Sequence, residues 1–222
     1  MKANARLSAD IARAAAYKLL AECYYPPAEE RREQARQLNR SLRELCPPAA
    51  EAAAGMEAAL QIHEGFEELA IDHARLFVGP FALLAPPYGS VYLEGERRLM
   101  GDSTLAVGEC YGEVGLEVAP GFNGTPDHIA VELEFMHFLV VKELDALAGG
   151  RLDRAQNFRQ KQRVFLERHL DAWVPDFSRS VEEQAQTRFY RSLAAATRLF
   201  IESDFDQCRS DMPLLVSGIA SA

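Results

Sequence analysis

Positive charge is in deficit in this chain: 24 lysines and arginines face 33 aspartates and glutamates, a formal net charge of −9. That argues against a nucleic-acid binder, which carries a basic patch, and it permits a cationic partner. Cysteine is scarce. Cys23, Cys46, Cys110 and Cys208 lie far apart with no C-x-x-C pair, so reduced thiols in a cytoplasmic protein are expected rather than disulfides or a zinc site. No apolar run reaches the ~18–20 residues that span a bilayer, so no stable membrane insertion is expected. Near the start, Asp10, Arg13 and Lys18 interrupt any secretory segment. The pairs Arg31-Arg32 and Arg97-Arg98 precede no apolar export segment. Phosphate-loop, dinucleotide-binding and nucleophile-elbow motifs are missing too. β-Branched residues are sparse, while leucine, alanine, glutamate and arginine dominate, which points to an all-α fold.

What is present is a series of helical stretches. Ser8 reads as the cap of a first helix with Ile11, Ala15 and Leu19 on one face, ending before Pro26-Pro27. A charged second helix follows from about Pro27, carrying Leu38, Leu42 and Leu45. Pro47-Pro48 starts an alanine-rich third. A fourth runs from Phe66 to about Val78 and is expected to bury Phe66, Leu69, Leu76 and Phe77. The stretch Gly79 to Gly101 breaks the pattern; its prolines and aromatics read as an ordered loop. Asp102-Ser103 caps a fifth helix bearing Leu105, Val107 and Tyr111. A glycine-rich loop, Val114 to Thr125, leads to the most apolar segment. Pro175 is expected to end a helix that starts near Leu152, and Ser180-x-x-Glu183 to cap the last one. The two loops could divide the protein into helical halves with a groove between them. Residues 1–210 read as one helical domain and 211–222 as a frayed tail.

The organising segment is Gly124 to Leu147. Pro126 and Asp127 are helix-start residues. Ile129, Leu133, Met136, Val140 and Leu144 share one face, and Val131, Phe135, Phe138 and Leu139 cover much of the rest. A helix apolar nearly all round is interior to a bundle. Glu134-x-x-His137 has the spacing of a di-iron ligand pair, but a carboxylate-bridged site needs a second such motif and two more glutamates, and no second E-x-x-H exists. The pair reads as satisfied interior groups, with no metal and no cofactor. Pro126-Asp127-His128 has two readings: a helix start with local pairing, or an acid and a histidine displayed at an exposed helix end to hold a basic peptide.

A further pattern runs along the chain. Y-K-L-L-A-E-C-Y-Y-P-P at 17–27, P-P-Y-G-S-V-Y at 86–92, M-G-D-S-T at 100–104, P-D-H-I-x-x-E-L-E-F-M at 126–136, H-L-x-x-W at 169–173 and F-Y-R-S-L-A-A-A-T-R-L-F at 189–200 occur in order. This series resembles the TorD/DmsD/NarJ family of redox-enzyme maturation chaperones. The resemblance covers nearly the whole chain and implies one all-helical globular bundle, monomeric or domain-swapped as a dimer. It implies a cytoplasmic, system-specific chaperone and no catalysis. Such a chaperone binds the twin-arginine signal peptide and the apo-molybdoenzyme behind it, holding them until the molybdenum cofactor is inserted. The family's binding patch maps to Pro87, Tyr88, Ser90, Gly101, Pro126, Asp127 and His128. Asp127 with Glu94 or Glu132 would supply carboxylates, and Phe81, Leu83, Leu84 and Tyr88 an apolar groove. One departure is Gly124-Thr125, where family members often carry an acid before the proline. Two alternatives stand beside this reading: a metal-dependent helical enzyme using Glu134 and His137, and a permanent structural subunit of a reductase complex.

Overall fold

The computed structural model describes residues 2–62, 65–79, 83–94 and 99–210. The expected frayed tail and Phe81 lie outside the described residues. Among those described there is no β-strand, only an isolated antiparallel bridge between Tyr88 and His128. The helices are α1 (Lys2–Tyr24), α2 (Arg31–Leu42), α3 (Pro47–Ile62) and α4 (Phe66–His73), which runs on as a π turn over Ala74–Val78. Then come α5 (Gly89–Leu93), α6 (Asp102–Gly112), α7 (Ile129–Ala148) and α8 (Leu152–Phe165). A second π turn, Leu166–Leu170, joins α8 to α9 (Asp171–Gln184), and α10 (Arg188–Ser210) follows.

The α7 helix is the central post, as its composition requires. It packs along α1 on one side and α8 on the other, while α10 packs on α3 and α9. Ile129, Leu133, Met136 and Val140 are fully buried on its inner face. The apolar interior is one connected cluster drawing on residues from α1 to α10, so the loops do not divide it into halves. Gly150, with φ of 68°, takes the left-handed turn that ends α7.

Two buried polar ties fix the helices against one another. Arg13 donates to Asp204 (Nη2–Oδ2 2.8 Å) and to Gln162 (2.7 Å), and the Tyr17 hydroxyl also donates to Asp204. This joins α1, α8 and α10, and the aspartate raises the pKa of Arg13 well above its usual value although burial acts against it. Asp72 on α4 accepts the backbone N–H of Gln186 (3.0 Å) and Thr187 (2.8 Å) and the Thr187 hydroxyl. Those bonds pin the bend between α9 and α10.

Several helix boundaries differ from the sequence reading. Ser8 lies inside α1, and α2 begins at Arg31. Phe66 and Leu105 are exposed, at 42% and 68%, because each sits on the outward side of a surface helix. Pro175 does not end a helix: α9 runs through it, with the wider π turn just ahead. The Ser180 hydroxyl donates to the Asp176 carbonyl within α9, so it caps nothing. Thr187 stands before α10 instead, and its hydroxyl accepts the Tyr190 N–H at 3.4 Å.

Candidate functional site

The two sequence motifs P-P-Y-G-S and P-D-H meet at the start of α7. The Gly89 N–H donates to the Asp127 carbonyl and the Ile129 N–H to the Pro87 carbonyl, both at 2.9 Å. The Tyr111 hydroxyl holds the Pro126 carbonyl at 2.9 Å. Pro87, Tyr88, Ser90, Pro126, Asp127 and His128 are thereby brought into one knot, although nearly forty residues separate its two strands in sequence.

Within the knot, Asp127 is 1% exposed. Its Oδ2 accepts the Ser90 N–H at 2.8 Å and its Oδ1 the Thr125 hydroxyl at 2.5 Å. The carboxylate therefore caps the first turn of α5 and locks the loop that leads into α7. The expectation that Asp127 is displayed at an exposed helix end is corrected: both oxygens are turned inward and engaged. It is also not the cap of α7. That role falls to His128, whose Nδ1 accepts the Ala130 N–H at 3.1 Å.

His128 is 9% exposed. Tyr25 stacks near it (centroids 6.4 Å, 13°), while Phe122 and Tyr88 meet it edge-on at 5.4 and 5.3 Å. Burial pushes its pKa down to about 4, against the pull of neighbouring Asp127. The ring is neutral at pH 7. Since Nδ1 is the acceptor, the proton is on Nε2, and no described residue accepts from it.

Glu132 lies one turn into α7 and is 1% exposed. Trp173 donates to its Oε2 at 3.2 Å. Burial raises its pKa well above the usual value, and the indole N–H partly opposes this. Gly89 must be small here: a Cβ would stand 3.0 Å from the Trp173 Nε1 and 3.3 Å from the Glu132 Oε1.

Glu94 and Gly101 form a second cluster at the far end of α5. The Glu94 carboxylate accepts the Ser103 N–H (2.9 Å) and hydroxyl (2.7 Å) and caps α6. It lies across Gly101, where a Cβ would fall 1.6 Å from its Oε2. Of the expected groove residues, Leu83 is half-buried and Leu84 exposed.

Beside the knot lies a cleft of about 260 Å³ between the end of α1, the Val114–Thr125 loop and α7. Tyr25, Tyr111, Phe122, Val131 and Phe135 wall it, and Glu117 and Glu134 stand in it. Glu134 is exposed, and its Oε1 accepts the Tyr25 hydroxyl at 3.0 Å. His137 bonds instead to the Ala14 carbonyl at 2.9 Å. Glu134 and His137 are thus not the mutually paired interior groups that their spacing suggests. Among the described residues, no group of three or more His, Cys, Asp or Glu is arranged to hold a metal. The cleft escaped the sequence reading because its walls come from three distant segments. The only local signal was a lone phenylalanine, Phe122, in a glycine-rich loop.

The helical bundle defines an all-α fold, and comparison with known proteins gives the family. The family model described as nitrate reductase delta subunit matches residues 28–179. The Tat proofreading chaperone DmsD of Salmonella typhi is 33% identical over 153 residues, covering 69% of this chain and 68% of the relative. The chaperone protein TorD of Psychrobacter sp. is 28% identical over 138 residues, 62% of this chain and 60% of the relative. The selenate reductase assembly chaperone protein of Thauera selenatis is 47% identical over a shorter stretch of 57 residues, 26% of this chain and 28% of the relative. A redox enzyme maturation protein of Archaeoglobus fulgidus shares the fold, with a TM-score of 0.52 at 22% identity over 85% of this chain and 93% of that one. The chain belongs to this family of redox-enzyme maturation chaperones. The names its relatives carry are those of chaperones rather than of catalytic enzymes.

Proposed function

We propose that the protein is a system-specific chaperone of the cytoplasm that binds the twin-arginine signal peptide of an apo-molybdoenzyme and the enzyme behind it. It holds them until the molybdenum cofactor is in place and export can proceed. The supporting observation is the knot of Pro87, Tyr88, Ser90, Pro126, Asp127 and His128 beside an apolar, carboxylate-bearing cleft. A signal peptide joins a cationic region to an apolar stretch, and the cleft offers the complement to both. The negative charge of the whole chain adds long-range attraction.

In this reading the knot residues have unlike roles. Asp127 ties the start of α5 to the loop before α7, Glu132 ties α7 to Trp173 of α9, Glu94 caps α6, and Gly101 leaves room for Glu94. The neutral His128 Nε2–H is a donor suited to a peptide carbonyl. No helix among the described residues is long and apolar enough to cross a membrane. The test is calorimetry of the full chain with synthetic twin-arginine leader peptides of molybdoenzymes and with the matching apo-enzymes. Saturable one-to-one binding is expected. Absence of binding to both the leader and the apo-enzyme would overturn the proposal.

A further inference from the structure

We infer that the cleft walled by Tyr25 and Phe122 receives one arginine side chain of the client peptide, with Glu134 and Glu117 as its counter-charges. The inference rests on the peptide-binding reading and sharpens it, because it moves the cationic subsite away from Asp127.

Four observations carry it. The carboxylate of Asp127 is buried and engaged on both oxygens, so a guanidinium cannot reach it without opening the knot. The cleft, by contrast, is lined by two acids and no base. Glu117 makes no ion pair with any described residue, and Glu134 is engaged only through the Tyr25 hydroxyl. Although the Glu134 side chain is exposed, partial desolvation by the cleft wall raises its pKa most, Glu22 on α1 raises it further, and the Tyr25 hydroxyl and His137 oppose this. An acid held against an apolar wall without a counter-ion is stabilised by an arriving cation.

The shape favours arginine over other cations. Tyr25 and Phe122 meet edge to face, with centroids 6.4 Å apart at 87°, so the two rings form adjoining walls of different orientation. A planar guanidinium stacks on one such face while its fork of N–H donors reaches a carboxylate. Val131 and Phe135 line the part of the cleft that would take the methylene stem. The volume, about 260 Å³, falls below the roughly 300–1,000 Å³ of small-molecule pockets and suits a single long side chain.

The test is a double-substitution cycle read by calorimetry with the full chain. The protein is wild type or Glu134→Gln, and the leader peptide carries arginine or citrulline at each of its paired positions. Glu134 is exposed, so the variant keeps the fold; Glu117→Gln is measured alongside. Loss of a charge-assisted pair weakens binding by roughly tenfold. The expected result is about a tenfold loss for Glu134→Gln with the native peptide and almost no further loss with one of the two citrulline peptides. If the two losses simply multiply at both positions, the subsite is wrong while the peptide-binding reading stands. If wild-type protein binds neither the leader nor the apo-enzyme, that reading falls and this inference with it.

Discussion

Removing the Asp127 carboxylate tests whether this residue builds the site or touches the client. The Asp127→Ala variant loses the bonds to the Ser90 N–H (2.8 Å) and the Thr125 hydroxyl (2.5 Å). The Ser90 amide is left buried without its acceptor, as Ser90 is fully buried. A hydrogen bond to a charged group contributes about 1.5–3 kcal/mol, and stranding a buried donor costs about 1–3 kcal/mol. These overlap rather than add, so about 2–4 kcal/mol of destabilisation is expected. Asp127→Asn keeps one acceptor for Ser90 but presents an N–H₂ to Thr125, and should cost about half as much. Urea unfolding of the variants, followed by far-ultraviolet circular dichroism, gives both figures. Were Asp127 an open carboxylate waiting for arginine, its loss would reduce peptide affinity and leave stability untouched. A change below about 0.5 kcal/mol, the range of ordinary surface substitutions, would refute the structural account.

The remaining predictions concern the groups behind the site. Glu132 is buried and burial favours its uncharged form, so Glu132→Gln, which keeps an acceptor for the indole, should be tolerated to within about 1 kcal/mol, whereas Trp173→Phe strands the acid and should cost about 1–3 kcal/mol; equal effects in chemical denaturation would count against the pairing. Gly101→Ala displaces the Glu94 carboxylate from the start of α6 and should cost about 1 kcal/mol, the usual worth of a helix cap. Glu94→Ala should cost a similar amount, and the double variant little more; fully additive losses would show the two residues to be independent. Burial lowers the pKa of His169, like that of His128, to about 4. Between about pH 4 and 6.5 the unfolded chain then binds more protons, so the stability these two residues contribute is complete above pH 6.5 and is lost as pH falls toward 4. Glu132 works in the opposite sense, so the clean measurement is a difference. His169→Phe, which keeps an aromatic ring against Phe165, should lose less stability between pH 7 and 4.5 than the wild type does, and parallel pH profiles would rule the histidine out.

The helices were legible wherever apolar spacing and punctuation agreed. The α7 stripe and the Pro47 start of α3 are local signals, and local signals decided them. Pro175 and Ser180 misled because their rules describe isolated helices. A π turn ahead of the proline and burial of Trp173, Val174 and Phe177 on the core side hold α9 together through both. The site divides in the same way. Its residues could be picked out as motifs, but motif spacing carries no information on which way a carboxylate faces.

By itself, the sequence determined an all-α bundle around the Gly124–Leu147 stretch, cysteines without disulfide or zinc spacing, a net negative charge and the family. Each of these follows from composition, periodicity or ordered motifs, which survive in one dimension. Only the tertiary structure decided that Asp127 is buried and bonded on both oxygens, that His128 caps α7, and that Glu134 and Glu117 stand in an aromatic cleft. The physical reason is that burial and pairing depend on neighbours from elsewhere in the chain. Ser90 comes to Asp127 from 37 residues away and Tyr25 to Glu134 from 109, and until those segments meet a carboxylate has no environment to define its role.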